Sequence, residues 1–221
     1  MAIRAIIWDF DGTLASSLDG IASSMRETLA FFGHAVPTKE EVRATVGLTL
    51  EDCMRRLTRG ACPEDRIPLL VGKYRSLHLA NAAPRTSMFD GAMKVLSELR
   101  RGGIASVVVS NKGRVGLNQL IEQLGINDLI TFALSSDDVA FHKPDKRLFT
   151  EHVEPLINHL PAGDVIVIGD TDIDIRFGEA AGLKVCWAKY GYGDPGVCSA
   201  LQPTHTLESI VEALGIIEYY G

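Results

Sequence analysis

The residues best suited to chemistry in this chain fall in short clusters, each directly after an apolar run or ahead of a helical pattern. The first cluster is Asp9-Phe10-Asp11-Gly12-Thr13, which follows the run Ile3–Trp8. On an extended segment, residues two apart project to the same side, so Asp9 and Asp11 face one site. Burying two unpaired negative charges at a strand end is costly, and a bound cation removes the cost. Mg2+ favours such a pair together with phosphate oxygens. One carboxylate can then attack phosphorus as a covalent nucleophile while the other carries a proton to the leaving oxygen. Gly12 permits a tight turn and a close approach of backbone.

The next cluster, Ser110-Asn111-Lys112-Gly113, follows the run Ile104–Val109. A hydroxyl and free N–H groups ahead of a helix suit a phosphoryl oxygen, although Ser-Asn serves equally as an ordinary helix cap. His142-Lys143-Pro144-Asp145 comes third. Pro144 fits the first turn of a following helix, which places Lys143 at its mouth. There the lysine can neutralise both Asp9 and a transferring phosphoryl group. The last cluster, Gly169-Asp170-Thr171-Asp172-Ile173-Asp174, follows Val165–Ile168. Its carboxylates, with Asp9, form an oxygen-ligand set for a hard cation. The competing reading is acidic charge complementing a helix N-terminus, and Asp172 carries no assigned role. His142 reads as a hydrogen-bonded loop histidine, and the other histidines have no ligand spacing.

The three apolar runs named above read as buried strands, with weaker candidates at Ile130–Leu134 and Leu183–Trp187. Continuous runs of this kind suit a parallel sheet covered on both faces. Helical patterns lie between them at Ala92–Arg101, Val115–Leu124, Lys146–Ile157 and Asp174–Ala181. This alternation predicts a doubly wound, Rossmann-like α/β core. From about Leu18 to Ala83 it stops, and helical patterns run through Ile21–Phe32, Lys39–Val46, Leu50–Thr58 and Glu64–Leu79. A helical block between the first strand and the rest of the sheet reads as an inserted lid. Residues 1–15 and 85–221 are the expected core and 16–84 the expected cap, with hinges near Ala15–Leu18 and Ala83–Ser87. In an open parallel sheet, ligands bind outside the carboxyl ends of the strands, where the polar clusters fall.

The 221 residues allow a core domain with a smaller one attached. The net charge of −6 lacks the basic footprint of a nucleic-acid binder. Scattered Lys and Arg and the absence of a long apolar stretch argue against a membrane partner. Cys53, Cys62, Cys186 and Cys198 form no CxxC pair. They read as small core hydrophobes in a reducing, cytoplasmic setting.

Asp-x-Asp-Gly-Thr, then an apolar strand with Ser-Asn, then Lys-Pro, then Gly-Asp-x-x-x-Asp resembles the haloacid dehalogenase-like hydrolase superfamily. The resemblance runs from Ile3 to about Gly193. Its nearest branch is the phosphoglycolate phosphatase-like one, on the Ser-Asn-Lys, the Lys-Pro and the Gly-Tyr-Gly after Lys189. The resemblance implies a small all-helical cap, Mg2+ as cofactor and a small phosphorylated metabolite as substrate; a monomer or homodimer is expected, and the sequence does not choose between them. It implies that Asp9 is nucleophile and Mg2+ ligand, and that Asp11 is general acid/base with its backbone carbonyl on Mg2+. Ser110, Asn111 and Lys143 would hold the phosphoryl group beside Gly12 and Thr13, Asp170 would ligate Mg2+, and Asp174 would ligate or position it.

The chain departs from the pattern at Leu14-Ala15-Ser16-Ser17, where an Asp usually follows the Leu soon after. The cap stretch Val46–Asp52 resembles the specificity loop, but Leu50 stands near where a sugar-phosphate mutase would carry Arg. A phosphomutase, a pyrophosphatase or nucleotidase, and a non-enzymatic phosphometabolite-binding regulator are the alternatives. Dehalogenation needs no second Asp, and Asp11 is present.

Overall fold

The computed structural model describes residues 2–221. The chain begins with β1 (Ala5–Trp8) and β2 (Ala15–Ser16), then α1 (Leu18–Phe31), α2 (Lys39–Arg43), α3 (Leu50–Leu57) and α4 (Ile67–Asn81). It continues through β3 (Ser87–Met88), α5 (Ala92–Arg101), β4 (Ala105–Val109), α6 (Arg114–Gln123) and β5 (Phe132–Leu134). It ends with β6 (Val165–Gly169), α7 (Asp172–Ala180), β7 (Lys184–Ala188), α8 (Pro195–Ala200), β8 (His205–Leu207) and α9 (Ala213–Tyr220).

The main sheet has the order β5-β4-β1-β6-β7-β8 and is parallel throughout. Because side chains alternate across a strand, Ile6 and Trp8 face one hydrophobic layer with Leu96, Val108 and Ile166. Ile7 faces the other, with Val107, Val167, Phe149 and Phe177. Both faces are covered, which is why the strands are apolar without alternation. β1 lies at the centre, with Ile7 level with Val107 on one side and Val167 on the other. The chain steps outward from β1 through β4 to β5, then crosses back to β6. That reversal opens a crevice at the carboxyl end of β1.

α1 to α4 close over a hydrophobic cluster of their own that includes Ile21, Met25, Leu29, Met54 and Leu70. Thr38 starts α2 with a reciprocal cap: its hydroxyl accepts from Glu41 N, and Glu41 Oε2 accepts from Thr38 N at 2.8 Å. The chain entering this helical layer and the chain leaving it lie side by side, β2 pairing antiparallel with β3. Among the described residues, no helix is long and apolar enough to cross a membrane.

The structure departs from the sequence pattern in several places. Lys146–Ile157 is not an α-helix: Leu148–Val153 is π-helical and Glu154–Ile157 a 3-10 turn. Pro155 withholds the N–H that a continuing α-helix needs, and Asn158 closes the segment with φ 54°. Pro144 therefore sits ahead of the helix, not in its first turn, and Lys143 lies on a loop. Asp145 organises the entry by accepting from Arg147 N at 2.9 Å. The β2–β3 pair, α8 and β8 carry too few residues each to show a period, and the largely apolar ALGIIEYY of α9 shows no clear polar face.

Ile7 is buried at the centre of the sheet. Ile7→Ala should cost about 2–5 kcal/mol. Urea unfolding checks this, and an unchanged midpoint would contradict the placement of β1.

Candidate active site

Each of the four polar clusters sits at or beside the crevice. Asp9 follows β1 and is fixed to β6 by Asp9 N donating to Ile168 O at 2.9 Å. Asp170 follows β6, and Asp174 lies in the first turn of α7. Oxygens of Asp9, Asp170 and Asp174 lie within 4.8 Å of one another, all buried. Lys143 Nζ donates to Asp9 Oδ1 and Asp174 Oδ1, both at 2.6 Å. Three carboxyl groups share one ammonium in a buried space, more than that ammonium can neutralise if all three ionise. The donors are all hard carboxylate oxygens, so the set fits a divalent cation of the Mg2+ or Ca2+ type rather than a soft one.

Burial pushes the Asp9 carboxyl up to about 7 from its ordinary 3.8, Asp174 adding to the rise and Lys143 opposing it. Asp170 is also raised well above its ordinary range, first by burial and then by Asp9 and Asp174. Burial alone would pull the Lys143 ammonium down, but Asp174 and Asp9 outweigh it and the lysine stays charged.

The supporting contacts are specific. Asp170 Oδ1 accepts from Thr13 Oγ1 at 3.1 Å and Oδ2 from Tyr192 N at 2.6 Å. Thr13, grouped by its motif with the substrate contacts, therefore commits its hydroxyl to Asp170. Gly12 has φ 100°, and a Cβ there would collide with Asp170 Oδ2, so only glycine allows the two loops to meet. Asp174 Oδ2 accepts from Thr171 N and Thr171 Oγ1 at 3.0 and 2.7 Å, capping α7 while its other oxygen holds Lys143. The helix-terminus reading of Asp174 and the site reading thus describe the same side chain. Asp172 pairs with Arg176 on the exposed face of α7, away from the cluster.

Asp11 does not join the carboxylate cluster through its side chain. Lys112 Nζ contacts its oxygens at 3.2 and 3.3 Å. Ser110 Oγ accepts from Lys112 N at 3.2 Å. The Asn111 amide donates to Lys143 O at 3.1 Å and to Gly47 O of the helical layer at 2.8 Å, and its Oδ1 accepts from Lys143 N. Asn111 therefore holds the Lys143 backbone through its side chain. His142 Nε2 lies 3.0 Å from Ser136 O, as a loop histidine would.

Sequence reasoning missed Lys112, Arg43 and Tyr192. The Tyr192 hydroxyl accepts from Ser17 N at 2.7 Å and Leu18 N at 3.1 Å, so it caps α1 from the opposite side of the crevice. It fills the need left by Ser16-Ser17, whose side chains make no cap bond to α1. Arg43 Nε donates to Tyr192 O at 3.0 Å. Lys112 and Tyr192 stand in the Ser-Asn-Lys and Gly-Tyr-Gly features that the sequence offers, but their contacts were not read from them; the missing Asp after Leu14 is the signal for the α1 cap.

The pattern of the family described as haloacid dehalogenase-like hydrolase matches residues 6–188. The chain belongs to the haloacid dehalogenase-like hydrolases. Among its relatives, a phosphoglycolate phosphatase of Cupriavidus necator is 29% identical over 213 residues, covering 95% of this chain and 90% of that one. The tyrosine-protein kinase PtkA of Mycobacterium tuberculosis is 27% identical, covering 96% of this chain and 73% of that one. In fold, a haloacid dehalogenase-like family hydrolase from Streptococcus pneumoniae superposes with a TM-score of 0.84 at 22% identity, covering 97% of this chain and 98% of that one.

Two outcomes follow from this geometry. Without a cation, the folded chain holds a proton on Asp9 that the unfolded chain has lost between pH 3.8 and about 7. Stability through this group therefore falls as pH rises across that window. A divalent cation takes the proton's place, so its apparent affinity should rise from pH 6 to pH 8, with proton release at pH 6. Calorimetry in buffers of different ionisation enthalpy checks this, and a pH-independent affinity would contradict it. Tyr192→Phe should cost about 1–2 kcal/mol by uncapping α1, read as a shifted thermal midpoint.

Proposed function

We propose that this chain is a Mg2+-dependent phosphatase that hydrolyses a small phosphorylated metabolite through a phospho-aspartate on Asp9. The observation that carries the reading is the pairing of Lys143 with Asp9 at 2.6 Å inside a buried cluster of three carboxyl groups. Its phosphatase relatives support it. Residues 16–84 serve as a cap that closes over the crevice and excludes bulk water.

Asp9 attacks phosphorus in line as the bond to the leaving oxygen breaks, and Asp11 donates a proton to that oxygen. Asp11, now a carboxylate, takes a proton from the water that attacks the phospho-aspartate, restoring Asp9 and releasing phosphate. Lys143 offsets the charge of Asp9 and of the transferring group. Ser110, with Asn111 N–H and the Gly12 turn, orients the phosphoryl oxygens. When bound, Mg2+ would polarise the phosphoryl group and screen its charge from Asp9. Asp9 and Asp170 would hold it with the Asp11 backbone carbonyl, Asp174 positioning Lys143 beside them.

Asp9→Asn should fold, yet lose at least about 10^4-fold in kcat on every phosphoester. Phosphoglycolate is the first ester to assay, with chelation and Mg2+ restoration as controls. Because one relative is named a kinase, the product assay should separate phosphate released to water from phosphate moved to an acceptor. Undiminished turnover in Asp9→Asn would overturn the reading.

A further inference from the structure

The crevice between the carboxyl ends of the strands and the helical layer is narrow, with a cavity volume of about 70 Å3. One wall is polar: Asp9, Asp11, Ser110, Asn111 and Lys112. The other is supplied by the helical layer, chiefly Ile21, Met25, Val46, Leu50, Cys53 and Tyr74. The polar atoms on this second wall are already engaged inside the protein. Thr45 Oγ1 donates to Val42 O at 2.7 Å, and Cys53 Sγ donates to Thr45 O at 3.2 Å. The Tyr74 hydroxyl lies 3.3 Å from His78 Nδ1. What these side chains leave for a ligand is largely carbon.

Positive charge is missing from the same wall. Among the described residues, no arginine lines the crevice. Of the cap arginines, Arg43 donates to Tyr192 O and Arg55 pairs with Glu64 and Asp52, while Arg75, paired with Asp137, lines the adjoining space beside Leu50 and Tyr74 and not the crevice itself. The one lysine lining it, Lys112, is paired with Asp11. A substrate carboxylate would compete with Asp11 for Lys112 Nζ and would otherwise meet an apolar wall, an unfavourable place for an unpaired charge.

Resting on the phosphatase reading above, we infer that the organic part of the substrate is apolar and uncharged: a phosphomonoester of a short alkyl or aryl alcohol. The bond from phosphorus to the alcohol oxygen breaks as the bond to Asp9 forms, the alcohol leaves with the Asp11 proton, and water then yields phosphate. The phosphoryl end faces the polar wall, and the alcohol packs between Leu50, Met25 and Tyr74. Short linear chains add one methylene of buried contact at a time, so the chamber reports its own polarity through a homologous series.

The test is kcat/KM for methyl, ethyl, propyl and butyl phosphate and for phenyl phosphate, beside phosphoglycolate and 3-phosphoglycerate, all with Mg2+. The expected result is a rise of about fourfold per methylene until the chamber is full, with both carboxylate-bearing esters roughly 100-fold or more below phenyl phosphate. Leu50→Arg should invert the order, raising phosphoglycolate while lowering butyl phosphate; a merely damaged fold would lower both. Phosphoglycolate as the best wild-type substrate, or a flat alkyl series, would overturn the inference and leave the phosphatase reading standing. Failure of every ester to release phosphate would remove both.

Discussion

A cluster of like charges that the protein cannot neutralise by itself is the constraint behind this architecture. Asp9, Asp170 and Asp174 are buried within 4.8 Å of one another with only Lys143 among them. Bringing them together is unfavourable in a low-dielectric interior, and it is sustained by a scaffold that leaves them no alternative. β1 and β6 are adjacent, in parallel register and buried on both faces, so the residues following each must emerge side by side. The raised carboxyls of Asp9 and Asp170 are the signature of that compression. Perturbed groups of this kind in a crevice mark a place where chemistry is done.

The same cluster is tied to the helical layer by a short set of hydrogen bonds. Tyr192 accepts the first N–H groups of α1 through its hydroxyl, receives Arg43 on its carbonyl, and donates its N–H to Asp170. Asn111 spans from Lys143 to Gly47 in the same way. A change at Asp170 or Lys143 is therefore transmitted to the residues that bear the helical layer, and the reverse. These links lie on loops, where backbone groups have no ladder partners and must find side chains.

Much of the site was legible because its residues follow apolar strands in fixed order. Asp9, Ser110 and Asp170 each end a buried run, and parallel pairing converts that shared position into proximity. Lys143 was legible as a cation near a helix start, although the helix begins at Leu148 and Pro144 lies before it. The Lys112–Asp11 pair, the Tyr192 cap and the Asn111 clamp were not, because they join residues from 32 to 175 positions apart with no periodicity to announce them. In the fold, the long helices and central strands carried their pattern. β2 and β3, at two residues each, lie below the length at which a period can be read, and the helical pattern of Lys146–Ile157 forms a π-helical and a 3-10 turn in place of an α-helix.

The proposed chemistry requires that phosphorus become bonded to Asp9 before it reaches water. Rapid quench of the wild-type protein with substrate and Mg2+, followed by borohydride, reduces an acyl phosphate to an alcohol and marks the residue that carried it. Peptide mass spectrometry should find residue 9 converted to homoserine, in a yield that depends on both substrate and Mg2+. Phosphate release without any such conversion, or conversion at a different carboxylate, would contradict a phospho-aspartate at Asp9.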